Sequence, residues 1–464
     1  MTAPERPLPR GVVARYAIGS LGTGGFATLP GLVLVYYLTD TLGVAALLAG
    51  AVVTLAKVWD VLIDPWIGDR SDRALVRSGT RRTLMVVGGI ALPVGFAVTF
   101  AVPAGLAPAA SAVWVMVAFL ATATAFSLFQ VPYIALPAEL THGYDARTRL
   151  LTWRVVVLTV AILLFGAGGP EIRSAFDDEH VGYLVMAIVS GLLIGGGMLV
   201  AATVAPRGVR PEADAAKPDA PASGGLRAAY RAGIDALRRS GPFRLLLAAF
   251  VLQGLATGMM LAGAQFVATW VLRDESAVTF LFVALIAPAV VCAPLWGRFA
   301  RRVGKRRGFA WASAVFAVAA ASLVGLWWAP GPWAYASVAL AGAAYAGMQS
   351  LPMAMLPDVI SHDTRTDGGD RAGSFSGVWT AGETAGMALG ATLLTAVLAL
   401  SGYLESTGAE TVQQSPLAVA GIVAGFSAIP AILVVASLWF IARYPLTKAD
   451  VDRDAVAAPV AGVA

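Results

Sequence analysis

Three ionisable side chains, Lys57, Asp60 and Asp64, interrupt an apolar run that reads Lys57-Val-Trp-Asp60-Val-Leu-Ile-Asp64-Pro65-Trp-Ile-Gly68. On a helix their spacing is i, i+3 and i+7, which puts them on one stripe ~60° wide. An ionisable group at membrane depth costs about 2.5–3.5 kcal/mol even on insertion scales, so three on one stripe need a polar interior to face. Fully ionised, the stripe carries one net negative charge. An uncompensated buried charge is unfavourable, so the stripe should hold a proton or attract a cation. Two carboxylates a helical turn apart offer oxygen ligands to a small hard cation such as Na⁺; alternatively, one of the two aspartates carries H⁺. Both alternatives stand. Pro65 is expected to break or kink the helix just after Asp64 and to free backbone carbonyls beside it.

Other polar residues fall in apolar surroundings. Gln130, Pro132 and Tyr133 lie near the end of one run, and Arg154 lies near the start of the next. Arg154 reads equally as a ligand for a substrate hydroxyl or acid and as a side chain snorkelling to the interface. Glu383 sits within Gly382-x-x-x-Gly386-x-x-x-Gly390, with Trp379 one turn earlier. That glycine ridge allows close approach of another helix, while Glu383 points off a different face toward a cavity. Gly68–Arg82 reads as a basic loop in which Asp72 and Arg73 act as a gate, Asp72 approaching a helix N-terminus. Asp358, His362, Asp363 and Arg371 read as an ion-pair gate in a second loop, with His362 a solvated loop residue.

The elements that position these residues are membrane helices. Of 464 residues, 58% are hydrophobic and 13% charged, against about 25% charged in a soluble domain. Apolar runs of helix length give twelve spans, among them 44–66, 110–138, 150–170, 332–357 and 372–401. Of the 33 Lys and Arg, all but Lys57, Arg173 and Arg273 fall on the side shared by the termini. The positive-inside rule then makes both termini cytoplasmic, in a multi-pass protein of a plasma or cell inner membrane. The basic residues follow membrane loops, so the net charge of +5 does not point to nucleic acid. One cysteine, Cys292, excludes an intramolecular disulfide, and three widely spaced histidines make a poor zinc centre. No nucleophile–base pair stands at membrane depth, which argues against a membrane-embedded enzyme; no cofactor is expected beyond a coupling ion, Na⁺ or H⁺.

The chain repeats itself. Pro65-x-x-Gly68 with Gly79-Thr-Arg81-Arg82 is echoed by Pro294-x-x-Gly297 with Gly304-Lys305-Arg306-Arg307. Gln130-Val-Pro132 with Pro137 and Glu139 is echoed by Gln349-Ser-Leu-Pro352 with Pro357 and Asp358. The expected organisation is an N-terminal six-helix bundle (1–205), a linker carrying an amphipathic helix on the inner leaflet (206–241), a C-terminal six-helix bundle (242–443) and a cytoplasmic tail (444–464). Two related six-span halves are the plan of a secondary transporter with a midplane site between them. The counterparts of Lys57, Asp60 and Asp64 in the second half are Ile286, Ala289 and Ala293, so the charges belong to one half only. That asymmetry favours function over architecture.

At these residues the chain resembles the glycoside–pentoside–hexuronide cation symporters, the melibiose-carrier family of the major facilitator superfamily. The resemblance rests on the Lys57–Gly68 signature with its following Asp-Arg and Gly-x-Arg-Arg. It also rests on Val131-Pro-Tyr-Ile-Ala-Leu through Arg147, Arg149 and Arg154, and on Met355-Leu-Pro-Asp358-Val-Ile through Arg371. It implies an all-α fold of twelve transmembrane helices in two six-helix bundles, with Asp60 and Asp64 forming the cation site beside Lys57. It implies a substrate cavity near Arg154, to which Gln130, Tyr133, Trp379 and Glu383 are added as substrate-binding candidates. Departures from the sugar-binding members are also present: their acidic residue in span 1 falls on Gly24 and that in span 4 on Gln130. An aromatic falls on Ile134, and a span 11 lysine at about Thr384. The expectation is a monomeric chain in membrane lipid that couples Na⁺ or H⁺ to symport of a glycoside or other small organic solute. An amphipathic, lysolipid-like solute and a proton-coupled drug or metabolite exporter of the same fold are the alternatives.

Overall fold

The computed structural model describes residues 8–140, 144–206, 234–235, 237–367, 372–407 and 412–446. Among these every long element is a helix, as an apolar chain requires when no water is at hand to satisfy its backbone. In chain order they are α1 (Arg10–Thr41), α2 (Ala46–Ser78), α3 (Arg82–Phe100), α4 (Pro108–Leu140), α5 (Tyr144–Ser174) and α6 (Glu179–Ala202). Then come α7 (Gly241–Val271), α8 (Ala277–Val303), α9 (Lys305–Trp327), α10 (Trp333–Asp367), α11 (Ala372–Leu400) and α12 (Pro416–Arg443). Among the described residues eleven helices are long and apolar enough to cross a membrane. The exception is α10, whose first half is rich in Ala, Gly and Ser and carries Tyr335, Tyr345 and Gln349. Most of the linker and tail lies outside the described residues.

The helices form two compact units. One comprises α1–α6 together with Asp274–Phe282 and the described part of Gly402–Ser415; the other comprises α7, the remainder of α8, and α9–α12. In the first unit α1 packs on α5, and α3 packs on α4 and α6. In the second unit α7 packs on α11, and α9 on α10 and α12. The same pairing of first with fifth, third with fourth and third with sixth helices carries the sequence repeat into structure. The Gly382–Gly386–Gly390 ridge of α11 does lie against α7. A Cβ at Gly386 would stand 3.0 Å from the Val251 carbonyl oxygen, and one at Gly390 2.4 Å from that of Leu255.

Two expectations about helix ends are corrected. α2 continues unbroken through Pro65 to Ser78, so most of Gly68–Arg82 is helix rather than loop. Pro65 removes one donor, which leaves the Val61 carbonyl without its intrahelical partner but does not end the helix. α10 likewise runs to Asp367, so Asp358, His362 and Asp363 are helical. Apolarity falls off before these helices end, because their last turns are rich in Asp, Arg and Ser yet keep the backbone ladder.

The repeated glycines end the turns between helices. Gly79 closes α2 in the left-handed region at φ 68°, and Gly304 precedes α9 at φ 91°. A Cβ costs about 1–2 kcal/mol in the left-handed region. Gly79→Ala and Gly304→Ala should therefore each lower the apparent unfolding temperature by a few degrees, read by tryptophan fluorescence of the purified chain. Alanine at Gly11 or Gly377, helical positions where the space is open and φ is ordinary, should not lower it.

Candidate functional site

The charged stripe stands on α2 in the first unit. Lys57 Nζ donates to Asp60 Oδ2 at 3.1 Å, and the two side chains are mostly buried. The ammonium also lies 5.8 Å from the centre of the Phe26 ring on α1. Of the other three carboxylate oxygens, Asp60 Oδ1 and Asp64 Oδ1 are buried with no hydrogen-bond partner. Ser127 of α4 directs its hydroxyl at Asp64, and the two aspartates repel one another. Lys57 thus compensates one carboxylate, and a single hydroxyl faces the other. Oxygen donors with spare lone pairs, held by two packed helices, suit a hard monovalent cation or a proton.

Gln130, Tyr133 and Arg154 gather on the same unit's α4 and α5. Thr23 of α1 donates to Gln130 Oε1 at 2.8 Å. Tyr133 is fully buried and stacks between Tyr16 and Phe129, with centroids 4.7 and 4.9 Å away. Its hydroxyl donates to the Tyr16 carbonyl oxygen at 2.8 Å and lies 3.1 Å from Ser20 Oγ. These contacts pack the Tyr133 ring, and the Arg154 guanidinium lies 5.3 Å from its centre. Gly24 has no room for a side chain: a Cβ there would meet Ala161 Cβ at 2.7 Å and the Leu158 carbonyl oxygen at 3.0 Å. The missing acid of span 1 is therefore matched by close packing of α1 on α5.

In the second unit, Glu383 opens onto a cavity of about 10 Å³ lined by Phe250, Gln253, Gly254, Thr257, Tyr345, Met348, Gln349 and Met387. Room of that size suits about one water-sized group. Trp379 stacks on Phe250 with centroids 4.3 Å apart, and its indole N–H is buried without a partner.

Two ion pairs stand at the corresponding turns of the two repeats, their basic partners one residue out of register. Arg81, before α3, bonds Glu139 near the end of α4 and donates to Ser71 Oγ at 2.7 Å. Lys305, at the start of α9, donates to Asp358 on α10 at 2.6 Å and to the Ala354 carbonyl oxygen at 2.9 Å. Of the four gating candidates, Asp358 is in such a pair. Arg73 is exposed and bonds Asp69 one turn back on its own helix. The Asp72 side chain and Arg371 lie outside the described residues. Sequence reasoning missed Arg81 and Glu139 as a pair. It also missed Asp40, which is buried, accepts from Thr39 Oγ1 at 2.6 Å and is bonded by Tyr403. Arg173 was visible only as a basic residue on the wrong side of the charge bias, and that was its signal.

Helices with buried intramembrane charges, packed in two matching six-helix patterns, define a polytopic membrane transporter. The chain belongs to the MFS/sugar transport protein family, whose model matches residues 15–448. A glucuronide carrier protein homolog of Escherichia coli is 24% identical over 94% of this chain and 92% of its own length. An uncharacterized symporter of Synechocystis is 30% identical, but the match covers 38% of this chain and only 35% of that protein. A putative glycoside/cation symporter of Escherichia coli is 26% identical over 38% of this chain and 39% of its own length. Among solved structures, the nucleoside transporter NupG superposes with a TM-score of 0.65 at 14% identity, covering 92% of this chain and 99% of that one. A peptide transporter superposes with a TM-score of 0.62 at 15% identity over 97% of each chain. The fold is that of the major facilitator superfamily.

Proposed function

We propose that the chain is a cation-coupled symporter of a glycoside or similar small polar solute. Asp60 and Asp64 hold the coupling ion, Na⁺ or H⁺, and both termini lie in the cytoplasm. The observation that carries this reading is the pair of buried, unpartnered carboxylate oxygens on α2, one of them beside Lys57. Their net charge is negative, and a cation or proton is what compensates it. The names of the relatives support a sugar-like solute; the lone-pair surplus on α2 supports coupling. Gln130 and Arg154 face polar neighbours at the same helices and are the substrate contacts assigned to the first unit.

The test is uptake into right-side-out vesicles under an imposed inward Na⁺ gradient, an inward H⁺ gradient, or neither. A panel of labelled glycosides should show at least tenfold faster initial uptake under one of the two gradients. Equal rates in all three conditions would refute coupling. Substrate-stimulated proton release from the loaded side would make the chain an exporter instead.

A further inference from the structure

The cavity beside Glu383 has a one-sided hydrogen-bond inventory. Gln253 spends both amide protons away from it, on Ser313 Oγ at 2.9 Å and Ser437 Oγ at 3.0 Å. Its Oε1 is left buried with no partner, on a residue only 2% exposed. The Thr257 hydroxyl gives its proton to backbone carbonyls, those of Gln253 at 3.0 Å and Gly254 at 3.2 Å. Gln349 Nε2 donates to the Tyr345 hydroxyl at 2.6 Å, which leaves the Gln349 carbonyl oxygen as an acceptor. Glu383 adds a carboxylate, and among the described residues no Lys or Arg forms an ion pair with it. Four side chains therefore offer acceptors, against two free donors among the lining side chains, the Tyr345 O–H and the second amide proton of Gln349. Phe250, Met348 and Met387 supply an apolar wall.

From this surplus we infer that the Glu383 cavity is a subsite for one donor-rich end group of the transported solute, a hydroxyl or an ammonium, and that it rejects carboxylates and sulfonates. The inference rests on the symport reading above and specifies its substrate class. The size of the cavity admits one such group rather than a whole ring. A hydroxyl satisfies Gln253 Oε1 or Glu383 by donating to it. An ammonium does the same with three donors and also neutralises the carboxylate. An acidic group instead brings acceptors to acceptors and a like charge to Glu383, the repulsive element on which discrimination depends.

The experiment uses three probes that differ at one position: methyl glucoside, its 6-amino-6-deoxy analogue and its uronide, with the galactose series in parallel. Binding to the purified full chain is read by thermal shift and by competition in proteoliposome counterflow. In the wild type the hydroxyl and amino probes should each bind at least tenfold more tightly than the uronide. Glu383→Gln should weaken the amino probe relative to the hydroxyl probe by at least threefold and improve the uronide. Thr257→Val, which removes an acceptor and keeps the shape, is the second variant should Glu383→Gln not fold. It should narrow the hydroxyl-to-uronide ratio by at least threefold. A wild type that prefers the uronide while uptake stays gradient-dependent overturns the subsite and leaves symport standing. Unchanged ratios in the folded variants also overturn it. No response to any probe in either series overturns the glycoside reading and the subsite with it.

Discussion

Asp64→Asn is expected to abolish gradient-driven uptake while the protein stays folded. The wild-type stripe carries Lys57, Asp60 and Asp64, one positive and two negative charges when ionised. Lys57 and Asp60 already compensate each other at 3.1 Å. Removing the charge of Asp64 leaves a neutral pair with no remaining demand for a cation. The amide keeps the shape and still accepts from Ser127, so the packing of α2 on α4 should survive. We expect the affinity for the coupling ion to fall at least ~100-fold, which corresponds to about 2.7 kcal/mol. The ion-dependent rise in unfolding temperature should disappear with it. Solute counterflow in the absence of a gradient should persist, because the proposed substrate contacts lie on other residues. Asp60→Asn should behave similarly, since Lys57 is then free to compensate Asp64. Full ion-dependent stabilisation in Asp64→Asn, measured by differential scanning fluorimetry across a Na⁺ and pH series, would show that the ion binds elsewhere.

What the sequence revealed, and what it hid, follows from how membrane chemistry is written in residues. The α2 stripe was legible because ionisable side chains in an apolar run are costly and therefore conspicuous. Glu383 was legible for the same reason. The partners of Glu383 were not: Gln253, Thr257 and Tyr345 are neutral, carry little hydropathy signal, and come from α7 and α10, a hundred or so residues apart in sequence. Tyr133 shows what sequence position alone does not convey. Its position beside Gln130 suggested a substrate contact, whereas Gly19 opens a slot at α1 in which a Cβ would meet the Tyr133 ring at 2.7 Å. That slot takes the ring into the core. The helix ends were misread because hydropathy marks where the apolar environment stops, and the hydrogen-bond ladder of α2 and α10 runs several turns further. Only the αL glycine, Gly79, marks where α2 ends. Membership of the family could be read from the clustered Asp, Pro and Gly of α2; the steric reason for Gly24 could not, because it lies in the distance to α5.

The largest stability effect is expected from Glu275→Gln, not from removing the buried residue it partners. Arg173, near the end of α5, is only 3% exposed and bonds Glu275 Oε2 at 3.0 Å, while Glu275 itself is 45% exposed. The guanidinium lies 5.9 Å from the Tyr36 ring and 5.4 Å from that of Tyr183, and its Nε has no partner. Taking away Glu275 leaves a buried cation supported by ring faces, a 3.5 Å contact to the Tyr183 hydroxyl and the charge of Glu179. Breaking a buried pair typically costs ~3–5 kcal/mol; the exposure of Glu275 reduces this to about 2–3 kcal/mol after screening. Arg173→Met takes away the buried charge instead and fills the Tyr-lined slot with an apolar side chain. Glu275 then turns to water, and the expected cost is about 1 kcal/mol or less. The double variant should resemble Arg173→Met, so that a double-mutant cycle gives a coupling of roughly 2–3 kcal/mol, the full cost of Glu275→Gln. The measurement is the order of apparent unfolding temperatures in detergent at fixed scan rate: wild type, Arg173→Met and the double variant close together, Glu275→Gln several degrees lower. If Arg173→Met is the least stable of the four, the arginine contributes mainly by packing its stem and stacking on the tyrosines, and the charge pair is secondary.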